Sequence, residues 1–344
     1  MKKLFISILA VAAAVACTKT NVDFEQPAEI GFAPVASMSS KAALNTNAYP
    51  IDQPIGIWSN YAGDVEPATV SDFSKFSVAY LNNVKFAYRS GKNWGGAESS
   101  YYWPTNGSLV FAGYSIPKGG DVNTYNVSYS FSDDEMTFTG YTQSELTSKT
   151  FDLLWFGRTA DSYNYRNAPT AVPVEFKHAL SWITIKVMGD ATSTSETNPW
   201  KITSVVLNDV YTVGDAVLNA SGTTPIIWDE NKLKTPMDMT IFTGKQDLDT
   251  EAKTIETTAN GTVVIPQKPL SLTVNYEYNT PANVLIKESK TVSLKLTTLE
   301  EDTNNVWKGG VHYTYTLTFK SNEILVAPSV KDWTNSVVPG VTVE

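Results

Sequence analysis

Over much of this chain the apolar residues recur at every second position. Tyr125-Asn126-Val127-Ser128-Tyr129-Ser130-Phe131 alternates without a break, as do Leu270-Ser271-Leu272-Thr273-Val274-Asn275-Tyr276 and His312-Tyr313-Thr314-Tyr315-Thr316-Leu317-Thr318-Phe319. Successive side chains of a strand point to opposite faces, so this period buries one face and leaves the other polar. Trp182–Val187, Thr262–Ile265 and Val292–Leu296 follow the same pattern, and Ser108–Ile116 reads as a strand closed by Pro117. These runs are β-branched and aromatic, and Gly, Pro and Asn clusters bound them. No long segment has a 3.6-residue period, and there are no heptads and no exact repeat. Many short antiparallel strands in 344 residues predict an all-β fold, specifically two β-sandwiches in tandem. The boundary is expected near Asn167-Ala168-Pro169, giving domains over 48–168 and 169–344.

Composition narrows the function. The chain carries 26 Lys+Arg against 35 Asp+Glu, a net charge of −9, which excludes general nucleic-acid binding because phosphate recognition needs cations. Only 18% of residues are charged, so Ser, Thr and Asn must supply much of the surface polarity, as suits an extracellular β-protein. One Cys cannot form an internal disulfide, and two His with one Cys cannot build two zinc sites.

The N-terminus accounts for that cysteine. Lys2 and Lys3 precede an apolar run, Leu4–Ala16, of 13 residues. A membrane-spanning helix needs about 20, so residues 1–16 read as a secretory signal peptide. The run ends Ala14-Val15-Ala16-Cys17, a lipobox-like sequence that predicts lipid attachment at Cys17, with Ala14 where Leu is usual. Residues 17–47 then read as a lipidated tether, a first strand and a loop. Glu29-Ile30-Gly31-Phe32-Ala33-Pro34-Val35 alternates like a short strand in which Pro34 suits an edge. Ser37 to Asn47 is small and polar and contains Lys41 followed by Ala42.

Motifs of catalysis are missing. There is no phosphate-cradling glycine motif, Gly-x-Ser-x-Gly elbow or His-Glu-x-x-His sequence. His178 and His312 lie beside strands and read as structural. Asp133-Asp134-Glu135 and Asp247-Leu248-Asp249 offer oxygen ligands without the glycine-pivoted spacing of a calcium loop, and read as solvated turns. Tyr101-Tyr102-Trp103-Pro104 suits either sugar stacking or core packing, and core packing is the expectation. No catalytic, cofactor or metal residue is predicted.

The order of several features resembles the fimbrillin family, the lipoprotein pilins also called type V pilins. They are the Cys17 lipobox, Tyr102-Trp103-Pro104 before Leu109-Val110-Phe111-Ala112-Gly113-Tyr114, Asp152-Leu153-Leu154-Trp155, and Val174–Ile183. Ile265-Pro266-Gln267, Trp307–Tyr315 and Val330-Lys331-Asp332-Trp333 complete the series. The resemblance implies two transthyretin-like β-sandwich domains and export as an outer-membrane lipoprotein. It also implies a processing protease that cuts after a basic residue in the N-terminal loop, releasing lipid and first strand. Subunits then join other fimbrial subunits by donating a strand into the vacated groove. Two departures stand out. The first Arg is Arg89, so Lys41 must take the role of the cleaved residue, with Ala42 following it. Only eleven residues follow Trp333, although Val337–Val343 has apolar groups to donate.

Residue chemistry supports such a mechanism on its own. Ile30, Phe32 and Val35 are the side chains a lost strand withdraws, and burying three of that kind is worth roughly 5–9 kcal/mol at about 1.5–3 each. A vacated edge is also a template for another chain. The chain is therefore expected to be a stalk or tip subunit of a cell-surface fimbria. The alternatives are an outer-membrane lipoprotein that binds glycans and, more remotely, a carboxylate-dependent hydrolase.

Overall fold

The computed structural model describes residues 28–36, 49–89, 93–143, 151–167, 171–194, 199–219, 226–255, 262–296, 305–320 and 323–332. Nineteen strands and no α-helix lie among them, so the all-β expectation holds. Among the described residues no helix is long and apolar enough to cross a membrane. Cys17, Lys41, Ala42, Trp333 and the Val337–Val343 tail lie outside the described residues.

The first half supplies β1 (Phe32–Ala36), β2 (Ile55–Ala62), β3 (Val78–Tyr88), β4 (Trp94–Gly96) and β5 (Ser108–Ser115). A hairpin follows, β6 (Asn126–Ser130) and β7 (Glu135–Thr142), and then β8 (Leu154–Phe156) and β9 (Val172–His178). Seven of these strands close a barrel in the order β1-β4-β3-β2-β5-β8-β9. Its interior holds Ile30, Phe32, Ile57, Phe86, Phe111, Phe156, Val174 and Phe176. All eight residues of β5 are buried. Leu109 and Phe111 face the barrel interior, while Tyr114 faces a second core outside the barrel wall. Burial of both faces explains why this strand reads as a continuous apolar run rather than an alternating one.

The second half supplies β10 (Ser181–Gly189), β11 (Lys201–Asn219), β12 (Ile226–Trp228), β13 (Lys234–Asp247), β14 (Lys253–Thr254) and β15 (Thr262–Val264). It continues with β16 (Ser271–Asn279), β17 (Leu285–Ser293), β18 (Val311–Phe319) and β19 (Ile324–Asp332). One sheet runs β14-β10-β18-β19 with β15 also on β10, and the other runs β17-β16-β11-β7-β6 with β12 and β13 on β11. These two sheets enclose a core that includes Ile183, Ile185, Ile202, Leu207, Leu272, Trp307, Tyr315 and Leu317. The strand expected at Val292–Leu296 proves to be the end of β17. Leu294 and Leu296 follow it as buried residues, and Leu294 N donates to Leu270 O at 2.8 Å.

β11 joins the halves. At ~3.3 Å per residue its nineteen residues span about 60 Å. Its first part pairs with β16 and β13, and its last part with β7 and β12. Hairpin β6–β7, which precedes residue 168 in the chain, thus belongs to a sheet built mainly from the second half. A third core fills the junction, with Trp58, Tyr114, Trp155, Trp182, Leu218 and Trp228.

Candidate functional site

The segment from Ala28 to Ala36 enters the barrel in two stages. Ala28–Ile30 runs beside Tyr101–Trp103, with an antiparallel bridge Glu29↔Tyr102. Ile30 N donates to Tyr101 O at 2.7 Å, and Trp103 N donates to Ala28 O at 3.0 Å. The chain then crosses to β9, where Val172 N donates to Gly31 O at 2.7 Å and β1 pairs in parallel from Phe32↔Val172 to Ala36↔Phe176. On its other side, among the described residues, β1 meets β4 only at Phe32↔Trp94. Pro34 lies past that point, where a missing N–H removes no bond to β4.

Alternation within the segment sends Ile30 and Phe32 inward, and both are fully buried. The Phe32 ring meets Phe86 at 5.0 Å and 90° and Phe111 at 5.1 Å and 86°, the edge-to-face geometry that aromatic quadrupoles favour. Two of the three side chains predicted to leave with the strand therefore fill the barrel core. Val35 is in β1, paired opposite Glu175.

The barrel seam rests on β1. Among the described residues, positions 172–176 of β9 pair only with β1, because β8 reaches only Lys177 and His178. Without β1 the barrel opens between Trp94 and Val172. It then offers a row of unpaired backbone groups above an apolar trough. Tyr49 lies on the far side of the Lys41 segment. It is buried, its ring packs on Trp94 at 5.6 Å and Phe176 at 4.9 Å, and burial pushes its phenol pKa well above the ordinary value. The residues on both sides of positions 37–48 are thus anchored in the same core, close to the two strands that β1 bridges.

Sequence reasoning missed the clamp on this strand. Arg89, at the end of the β3 run, pairs with Glu29 and also donates to Gly96 O. Gly95 and Gly96 make this possible: a Cβ at Gly95 would lie 2.7 Å from Arg89 Nε, and one at Gly96 would lie 2.1 Å from Ser99 O. No periodicity or motif signals such a long-range pair; the adjacent glycines were its only trace.

The other candidate residues are structural. Trp103 is buried, its ring at right angles to Phe111 at 5.8 Å, so it is part of the barrel core, whereas Tyr102 is exposed. His178 Nδ1 and Asp152 Oδ2 are 2.7 Å apart, and His312 stacks on Trp182 at 3.7 Å with Nε2 2.9 Å from Thr184 Oγ1. Asp133 accepts from Ser130 and Ser132, and Asp134 from Tyr129 and Arg158 N. Asp247 pairs with Lys201 at 2.5 Å, and Asp249 with Lys253 at 2.7 Å. These carboxylates serve turns and ion pairs.

Fold and site together define a class: an all-β protein whose first barrel is closed by a short N-terminal strand that completes the seam between β4 and β9. The fimbrillin-like family model matches residues 43–333. The chain belongs to the fimbrillin-like family. Among solved structures, a candidate cell adhesion protein from Bacteroides ovatus ATCC 8483 is similar at 15% identity and a TM-score of 0.52, over 90% of this chain and 99% of that one. A second, from Parabacteroides distasonis ATCC 8503, has 11% identity and a TM-score of 0.50 over 90% and 98%. A fimbrial protein from Bacteroides vulgatus ATCC 8482 has 16% identity and a TM-score of 0.49 over 88% and 99%. For the first two, at these identities, the likeness is one of fold. A search of curated protein sequences finds no significant match.

Proposed function

We propose that this chain is a structural subunit of a cell-surface fimbria, exported as a lipoprotein through Cys17 and assembled by strand exchange after a protease cuts the Lys41–Ala42 bond. The observation that carries the reading is the seam. Residues 172–176 of β9 depend on β1 for pairing, and β1 lies wholly on the N-terminal side of Lys41. One cut there would leave Cys17, Ile30 and Phe32 on a fragment held only by non-covalent contacts. Before the cut, β1 competes for its groove at the high effective concentration a short connection gives. Afterwards a strand from another subunit competes on equal terms. Burying Ile30 and Phe32 is worth roughly 3–6 kcal/mol, so the emptied groove has a strong drive to refill. The retained chain keeps Tyr49 against Trp94 and Phe176, which holds the groove walls in place.

The test compares wild type with Lys41→Ala, each treated with a trypsin-like protease and then concentrated. Wild type should lose residues 28–36 and form detergent-resistant oligomers, and Lys41→Ala should do neither. Oligomers from both proteins with residues 28–36 still attached would contradict the reading. Loss of the strand from wild type without oligomers identifies a tip subunit that accepts a partner's strand.

A further inference from the structure

A recess of about 450 Å³ lies where the two halves meet, away from β1, between β2 and β3 on one side and β6 on the other. Ligand sites concentrate at such junctions. Part of the lining is aromatic: the Trp58 and Tyr129 rings lie 6.0 Å apart and tilted by 31°. Polar lining residues are neutral, with Asn60 and Asn82 from the barrel and Ser128 from β6, and no charged residue contributes. Asn60 donates one amide N–H to Phe76 O at 2.7 Å, which leaves its second N–H and its amide oxygen to meet a ligand. Asn82 and Ser128 are exposed, and their side chains make no hydrogen bond among the described residues.

This combination selects a ligand class. An anion needs fixed cations and a metal ion needs carboxylates, and the recess offers neither. An acyl chain needs an apolar wall, and four of the ten lining residues, Asn60, Asn82, Asn83 and Ser128, are carboxamide or hydroxyl. A neutral saccharide has an apolar C–H face that packs on an aromatic ring. Its hydroxyls both donate and accept, matching a carboxamide and a serine. We propose that this recess binds a neutral oligosaccharide, with Asn82 and Ser128 bonding sugar hydroxyls from opposite walls beside the Trp58 and Tyr129 rings. The proposal is independent of strand exchange, since Trp58, Asn82, Ser128 and Tyr129 lie outside the core cluster that holds Ile30 and Phe32.

The probe is a panel of neutral oligosaccharides, covering gluco-, manno-, galacto- and xylo-oligomers, titrated calorimetrically into the purified full chain. Trp58 belongs to the junction core, so the variants avoid it. Asn82→Ala combined with Ser128→Ala removes two exposed, unpartnered groups and should leave Tm unchanged. It should weaken binding roughly 10- to 30-fold, the loss expected for two neutral hydrogen bonds. Ala79→Trp, at an exposed lining position, should fill the recess and abolish binding. The proposal is overturned if no sugar of the panel binds, or if a bound sugar is indifferent to both variants. It is equally overturned if an extended apolar peptide, adding to the edge strand β6, occupies the recess in place of any saccharide.

Discussion

The barrel is closed by a strand of five residues, whereas the joint between the halves is built on a strand of nineteen. β1 has one partner along most of its length, contributes two fully buried side chains through its segment, and lies near the N-terminus. β11 has neighbours on both sides over Lys201–Leu207 and Ala216–Leu218 and feeds two hydrophobic cores. Both are β-strands with inward-facing apolar residues, so burial chemistry does not distinguish them. Removability does: one cut in sequence frees β1, and no single cut frees β11. On the proposed reading, a strand of the first kind can be exchanged, while one of the second kind holds the rest of the chain together.

The largest expected contrast comes from truncating each seam. Phe32→Ala should cost about 3–5 kcal/mol through the cavity left among Phe86 and Phe111, and Leu218→Ala in the joint about 2–5 kcal/mol. Denaturant unfolding will measure both. Only Phe32→Ala should also make the strand leave faster once the Lys41–Ala42 bond is cut, and intact mass after sizing will detect this. Equal strand retention in the two variants would erase the distinction between the seams.

A smaller effect separates them by pH. Asp215 in β11 accepts from Gly140 N at 2.7 Å and from Lys232 Nζ at 3.0 Å, and these bonds hold its carboxyl below the usual range. A depressed carboxylate contributes stability above its ordinary pKa of about 3.9, and that contribution is lost as pH falls through the folded value. Asp215→Asn should therefore lower stability at pH 7 by about 1–2 kcal/mol and flatten the fall in Tm below about pH 4. An unchanged acid slope would mean that the β7–β11 pairing does not depend on this charge.

The smallest effect belongs to the clamp on β1. Arg89 and Glu29 side chains are 42% and 35% exposed, so a double-mutant cycle should give a coupling of only about 0.2–1 kcal/mol. Raising salt should weaken it further. A larger coupling would make the ion pair, rather than the aromatic core, the main hold on the strand.

What could be read beforehand follows from this contrast. Alternation located β6, β10, β15, β16 and β18. It holds in the structure for β16 and β18, where buried and half-buried positions alternate over a regular ladder, whereas β15 is buried throughout and β10 over its first five residues. It did not find β11, since Asn208-Asp209 and Gly214-Asp215 look like turns. In the structure these sites are irregularities within a continuing strand. Asp209 has φ +55°, and the pairing register shifts between Leu207 and Val210 and between Gly214 and Ala216. A bulge and a turn use the same residues, and only the partner strand tells them apart. Ile30 and Phe32 were legible because Glu29–Val35 alternates. The groove they fill was not, because Phe86, Trp94, Phe111 and Phe176 come from four separate strands. Several sequence features that carried the family resemblance also turn out to be joints. The Gln267 side chain accepts from Tyr211 N at 3.0 Å, its backbone oxygen accepts from Trp307 N at 2.9 Å, and Trp155 and Trp182 belong to the junction core.

Strand capture tests the central claim most directly. A labelled synthetic peptide with the sequence of residues 28–36 is added to intact chain and to chain cut at the Lys41–Ala42 bond, and bound label is measured by fluorescence anisotropy. The cut chain should take up the peptide in place of its own β1, the intact chain should not, and a peptide carrying Phe32→Ala should bind much more weakly. Equal uptake by cut and intact chains, or unfolding of the cut chain without uptake, would contradict the view that β1 is an exchangeable closure of a preformed barrel.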